Sequence, residues 1–238
     1  MTRNGAGPVA LVGSGEYLPV MDEVDRELLD GRPPRMVQLA TAAAPEGPRS
    51  LRYWHDLGAG AADRLGVEQV VLPVVDRRSA DDPAIAALVE GAGLIYLSGG
   101  NPPFLAATLR DTRVWAAIEH AWRGGAALAG CSAGAMALTA DAPDPRHPLR
   151  EPEPGLRVIP HLRVLPHFDR FMARLPDRAL RHLISAPRDV TVLGIDENTA
   201  LVGGPEDWEV KGRQSVWTLR PAGRVEHPTG SHVTIIMR

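Results

Sequence analysis

Short, unbroken apolar runs that stop at glycine turns, alternating with helical patterns, constrain this chain most. Pro8-Val9-Ala10-Leu11-Val12 stops at Gly13-Ser14-Gly15, and Leu94-Ile95-Tyr96-Leu97 stops at Ser98-Gly99-Gly100. Residues 36–40, 70–75 and 126–129 are further runs of this kind. Between them, residues 22–29, 50–65 and 83–90 read as helices, the last with Pro83 at its start and Gly91 after its end. Val114, Ile118, Ala121 and Trp122 mark one face of another helix. Strands that are apolar throughout need cover on both faces. The alternation therefore predicts an α/β fold with a mainly parallel sheet between helices. After Arg188 the pattern changes. Residues 190–195, 199–202, 215–219 and 232–237 are strand-like with short polar gaps. They predict extra antiparallel strands near the C-terminus, added to the edge of the same sheet in preference to forming a separate β domain. No repeat or linker interrupts the chain, so one domain over residues 1–238 is expected.

Composition narrows the function classes. At 44% hydrophobic and 23% charged, 238 residues can bury a core, and a disordered chain is excluded. The net charge of −3 gives no basic excess to recruit nucleic acid. The single cysteine, Cys131, excludes a disulfide framework and a cysteine-rich zinc site. No apolar run approaches the ~18 residues of a membrane span. The expectation is a cytoplasmic protein with no membrane or nucleic-acid partner.

One motif carries chemistry. Gly130-Cys131-Ser132-Ala133-Gly134 fits G-x-S-x-G, which eight serines and 24 glycines rarely produce by chance. It follows an apolar strand run and precedes Ala135-Met136-Ala137-Leu138, which can start a helix. That is the strand–turn–helix setting of a nucleophile elbow. Flanking glycines let backbone pack where side chains would clash, and Ser132 takes the centre of the turn. The Ala133 N–H would then face a developing oxyanion. Cys131 is the more nucleophilic type but sits one place off centre. The glycine turn after Leu97 lies at the equivalent end of another strand, where open parallel sheets bind ligands. Gly100 could supply a second oxyanion N–H there, and Asn101 could position substrate. A serine needs a base, and His167, at the end of the strand-like run 163–166, is the favoured candidate among eight histidines. A carboxylate should orient it. Between serine and histidine, Asp141, Asp144, Glu151 and Glu153 stay open on spacing alone.

Taken together and in order, Leu97-Ser98-Gly99-Gly100-Asn101, Gly130 to Ala135, Pro166-His167-Phe168 and Gly194-Ile195-Asp196-Glu197-Asn198-Thr199-Ala200 resemble peptidase family S51, which contains dipeptidase E and cyanophycinase. The resemblance runs over about residues 8–203. It implies the three-layer α/β/α sandwich of the class I glutamine-amidotransferase-like superfamily, a flavodoxin-like arrangement. It further implies a serine peptidase with Ser132 as nucleophile, His167 as base, and the N–H groups of Gly100 and Ala133 as oxyanion hole. The family's acid window holds Glu151 here, with Asp144 just outside it. The implied substrate is a small peptide cut beside an aspartyl residue, with no metal or organic cofactor; a homodimer is left open. Arg170 and Arg174, just after His167, are candidate cations for the aspartyl group, against the reading of a solvated helix face. Asp196-Glu197 reads better as a strand cap than as part of the site. Leu165-Pro166 stands where cyanophycinases carry Asp-Gln, and Asn101 and Pro-His-Phe lean toward the dipeptidase branch. Three rivals remain: an amidotransferase-like enzyme using Cys131, a nucleotide-binding turn at Gly13-Ser14-Gly15, and a non-catalytic relative. The second lacks its third glycine, because residue 18 is leucine.

Overall fold

The computed structural model describes residues 5–171, 177–220 and 223–237. The apolar runs form parallel strands β1 (Val9–Val12), β2 (Arg35–Leu39), β3 (Glu68–Val71), β4 (Leu94–Leu97) and β5 (Ala127–Cys131). Every residue of β1, β4 and β5 is buried. The run expected over 70–75 is strand only to Val71; Pro73 has no N–H to give a ladder.

Alternate side chains of each strand feed opposite faces. Leu11, Ile95, Leu97 and Leu128 join one core. Ala10, Val12, Tyr96 and Ala129 join the other. The second face is covered by α1 (Asp22–Leu29) and α2 (Pro48–Leu65), which contribute Val24, Leu28, Ala61 and Ala62. The first is covered by α3 (Arg77–Ala80), α4 (Pro83–Ala87), α5 (Pro102–Leu109), α6 (Arg113–Arg123) and α7 (Ala133–Ala137). The helices start where sequence chemistry satisfies their free N–H groups. Thr112 caps α6 by accepting from Trp115 N–H, and α5 opens with Pro102 behind an Asn101 cap.

The C-terminal strands divide between two sheets, which corrects the expectation of one. β10 (Thr199–Gly203), β11 (Asp207–Gly212) and β14 (His232–Thr234) extend the main sheet, whose order is β14-β11-β10-β1-β5-β4-β2-β3. β10 runs antiparallel to β1, with Val9 opposite Gly203 and Val12 opposite Ala200. Residues 190–195 and 215–219 instead form β9 (Thr191–Ile195) and β12 (Ser215–Arg220) of a second sheet, with β8 (Leu162–Leu165) and β13 (Gly223–Pro228). A local core explains the split. Leu165, Phe168, Leu183, Val192 and Leu219 cluster under this sheet, apart from the two main cores. Phe168 opens α8 (Phe168–Phe171), and its ring lies on Gly194, where an added Cβ would stand 2.4 Å from it. Two-residue strands β6 (Asp141–Ala142) and β7 (Glu153–Pro154) pair in the proline-rich stretch, and α9 (Asp177–Ile184) precedes β9.

β1, β4 and β5 are adjacent and parallel, so the turns after Val12, Leu97 and Cys131 emerge together at one edge. That is where α/β sheets place ligands.

Candidate active site

Ser132 links β5 to α7 with φ 50° and ψ −107°, a conformation uncommon for a residue with a Cβ. The turn is held from both sides. Ser132 N–H donates to Val12 O at 2.9 Å, and Ser132 O accepts from Met136 N–H at 3.1 Å. Both flanking glycines are required by close approach. A Cβ on Gly130 would stand 2.5 Å from the Gly134 carbonyl carbon, and one on Gly134 2.2 Å from Leu97 O. The serine is partly exposed while its neighbours on both sides are buried.

His167 follows β8, also at positive φ (49°). Burial of the adjacent Phe168 ring anchors it. Its Nε2 lies 3.0 Å from Ser132 Oγ and its Nδ1 3.0 Å from Glu197 Oε1. A carboxylate only accepts, so Nδ1 carries the proton and donates it to Glu197, and Nε2 accepts from the serine hydroxyl. Glu197 sits in the turn between β9 and β10, where the chain crosses from the second sheet to the main one. Its N–H donates to Asp169 Oδ1 at 3.1 Å, and its carbonyl accepts from Gln214 Nε2 at 2.9 Å. Arg170 Nη2 lies 2.8 Å from its other carboxylate oxygen.

The acid expected between serine and histidine is therefore not what reaches His167. Both ring nitrogens are already engaged. Asp144 accepts from Arg146 N–H and pairs with His147 at 2.8 Å, and Glu151 is exposed. Asp141 is bound to Arg163 at 2.6 Å, and Glu153 lies exposed in β7. Asp196-Glu197, read as a strand cap, splits by residue. Asp196 is buried and accepts from Trp217 Nε1 at 3.0 Å and from Ser215 N–H at 3.3 Å. Burial pushes its carboxyl above the usual range, against those two hydrogen bonds. Glu197 points the other way, to the histidine. The available signal was its position at a strand end inside the stretch 194–200.

The turn after β4 lies beside the serine: a Cβ on Gly99 would stand 3.6 Å from Ser132 Cβ. Gly100 has φ 139°, and a Cβ there would meet the Ala42 carbonyl at 2.4 Å, so no other residue fits. Among the described residues, neither Gly100 N–H nor Ala133 N–H donates to a group of the chain. Asn101 Oδ1 caps α5 by accepting from Phe104 N–H at 3.0 Å. Arg170 is mostly exposed, and its charge is paired with Glu197. Arg174 lies outside the described residues.

Cys131 is fully buried behind the elbow and donates to Glu16 Oε2 at 2.7 Å. Burial and the neighbouring carboxylate push its thiol well above the usual range. A nucleophilic cysteine needs the opposite environment, so the geometry removes the amidotransferase-like rival. Gly13 and Gly15 are packed on the backbone of Asp196 and the side chain of Asn198, with added Cβ atoms 2.1 Å and 2.4 Å away. The nucleotide-binding reading finds no open turn there. Among the described residues, no group of three or more His, Cys, Asp or Glu side chains is placed to hold a metal ion. Among them, no helix is long and apolar enough to cross a membrane.

A model of peptidase family S51 matches residues 12–209. The chain belongs to that family. It is 29% identical over 196 residues to a cyanophycinase of Trichormus variabilis, spanning 79% of this chain and 62% of the relative. A Synechococcus elongatus cyanophycinase is also 29% identical, over 84% of this chain and 63% of its own length. The chain thus spans less than two thirds of these relatives. A crystal structure of a peptidase from an acI-B1 Actinobacterium matches with 40% identity and a TM-score of 0.90, over 98% of each chain. A Listeria monocytogenes protein described as a peptidase E shares the fold, with a TM-score of 0.61 at 16% identity, over 94% of this chain and 100% of its own.

Proposed function

We propose that the chain is a serine peptidase that hydrolyses small peptides beside an aspartyl residue, with Ser132 as nucleophile, His167 as base and Glu197 as orienting acid. The observation that carries this reading is the unbroken hydrogen-bonded line from Ser132 Oγ through His167 to Glu197, with the serine on a strained elbow. In the proposed reaction His167 Nε2 takes the serine proton as Oγ attacks the peptide carbonyl. Glu197 stabilises the imidazolium that forms. The oxyanion rests on the N–H groups of Gly100 and Ala133, which have no acceptor to give up among the described residues. His167 then hands its proton to the leaving amine, and water hydrolyses the acyl-enzyme by the reverse relay. None of these steps calls for a metal or an organic cofactor.

Ser132→Ala tests the assignment. It should remain folded and lose peptide hydrolysis by about 10⁵-fold or more, together with labelling by a fluorophosphonate. Retained turnover would overturn the nucleophile, and a wild-type chain inert to peptides and probe would favour a non-catalytic relative. A second reading, hydrolysis of a β-linked aspartyl peptide, is favoured by the cyanophycinase relatives. It meets Leu165-Pro166 before His167 where those enzymes are expected to differ. Parallel assays of α- and β-linked Asp dipeptides separate the two.

A further inference from the structure

The turn after β1 has no place in the relay, yet it touches both arms of the oxyanion hole. Glu16 is 5% exposed. Its Oε1 accepts from Gly99 N–H at 2.9 Å, and its Oε2 accepts from Cys131 Sγ–H at 2.7 Å. Gly99 precedes Gly100, and Cys131 precedes Ser132. One buried carboxylate thus bridges the two turns whose N–H groups must converge on one oxygen. The neighbouring residue ties the β1 turn to the turn after β4 a second time, with Tyr17 OH 2.9 Å from Ser98 Oγ. On its other side, Gly13 N–H donates to Thr199 O at 2.9 Å, and Gly15 packs on Asn198, so the loop also seats the segment that carries Glu197.

We propose that Glu16 is a positioning residue that holds the Gly99-Gly100 turn in register with the Ser132 elbow. The proposal rests on the serine-hydrolase reading above. The argument is one of cost. A carboxylate taken out of water is expensive unless fixed donors meet it, and a packed apolar side chain would fill the same space more cheaply. Here two donors meet it, each one residue away from the reacting groups. Oxyanion donors act only when preorganised about 3 Å from the developing charge, and a misplacement of about 1 Å costs on the order of 10²-fold.

The test uses the full chain and an Asp-containing peptide that the wild-type protein cleaves. Glu16→Ala should lower kcat about 100-fold with KM within about threefold of wild type. Glu16→Gln keeps an oxygen for Gly99 N–H and should lose only about three- to tenfold in kcat. Hydrogen exchange at Gly99 gives a readout free of activity, and it should speed up at least about tenfold in Glu16→Ala because the acceptor is gone. A folded Glu16→Ala with kcat within threefold of wild type, a loss confined to KM, or a Gln variant no better than Ala would overturn the proposal. Should Glu16→Ala not fold, Glu16→Gln decides alone: a kcat loss at constant KM supports the clamp, and an unchanged kcat overturns it. A wild-type chain that neither cleaves peptides nor labels at Ser132 would sink the peptidase reading instead. Gly99 exchange then still rules on the clamp, with unchanged exchange in the variant counting against it.

Discussion

Two acid-bearing segments follow the serine, and they put their carboxylates to opposite uses. The proline-rich stretch 141–153 spends its acids on itself and its neighbours: Asp144 on His147 and Arg146 N–H, Asp141 on Arg163. The turn 196–198 divides its two, with Asp196 locked under Trp217 and Glu197 delivered to His167. The difference lies in what fixes each backbone. The first segment hangs mainly on short pairings such as β6 with β7. The second is clamped between β9, registered in one sheet, and β10, registered in the other. An acid that must hold a histidine within hydrogen-bonding distance needs the second kind of support.

The comparison breaks most decisively through exchange of its carboxylates. Glu197→Gln should lower kcat/KM by about 10³–10⁴, because an amide can donate to Nδ1 and favour the wrong tautomer. Glu151→Ala and Asp144→Ala should stay within about threefold of wild type. Steady-state kinetics on one Asp peptide reads all three. A large loss at Glu151 with none at Glu197 would return the acid to the first segment.

A second test separates stability from catalysis. Arg163 is 7% exposed and pairs with Asp141 at 15% exposure, while its Nη1 also donates to Leu183 O and Ser185 O. Removing one partner of a buried pair costs about 3–5 kcal/mol. Arg163→Leu should therefore lower Tm by roughly 10 °C, with kcat well below the melt changed little. A collapse of kcat at full stability would assign Asp141 a role in the site.

These outcomes bear on what the chain discloses in one dimension. The parallel sheet was legible because apolar runs and glycine stops are local signals, and the elbow because Gly130 and Gly134 must both be small for the turn to close. His167 could be singled out by its strand end alone. Glu197 lies beyond the histidine in the chain, and chain order does not fix a relay; only the crossing from β9 to β10 brings the acid round. The second sheet was hidden for a related reason. Residues 190–195 and 215–219 look like strands for either sheet, and the choice is made by the Phe168 ring on Gly194. The part Asn101 plays in its turn is likewise set by the fold, since its Oδ1 caps α5 by accepting from Phe104 N–H. Glu16 carried no local signal, since its partners are 83 and 115 residues away.

A smaller effect is expected at Arg170. Its side chain is 64% exposed, so its pairing with Glu197 is screened by water and salt. Arg170→Ala should cost no more than about fivefold in kcat, and the loss should shrink at high salt. A rise in KM confined to aspartyl substrates would instead assign Arg170 to the substrate.

The smallest effect sharpens the contrast through pH. Asp144 is partly buried, which acts to raise its carboxyl, but hydrogen bonds from His147 and Arg146 N–H prevail and hold it below the usual carboxylate range. Asp196 is held above that range by burial, despite the donors Trp217 Nε1 and Ser215 N–H. The signs follow from linkage. Between its native and unfolded pKa values, Asp144 binds more protons unfolded than folded. Its contribution is present above the unfolded value and is lost as pH falls through the folded one. Asp196 binds more protons folded, so its contribution is present at low pH and is lost as pH rises through its raised value. Denaturant melts of Asp144→Asn and Asp196→Asn against wild type, from about pH 3 to pH 7, should show gaps that move in opposite directions. The Asp144 variant should fall furthest behind wild type near neutrality. The Asp196 variant should gain on wild type as pH rises. Gaps that run in parallel would mean that the two segments hold their acids in the same way, and that the distinction rests on Glu197 alone.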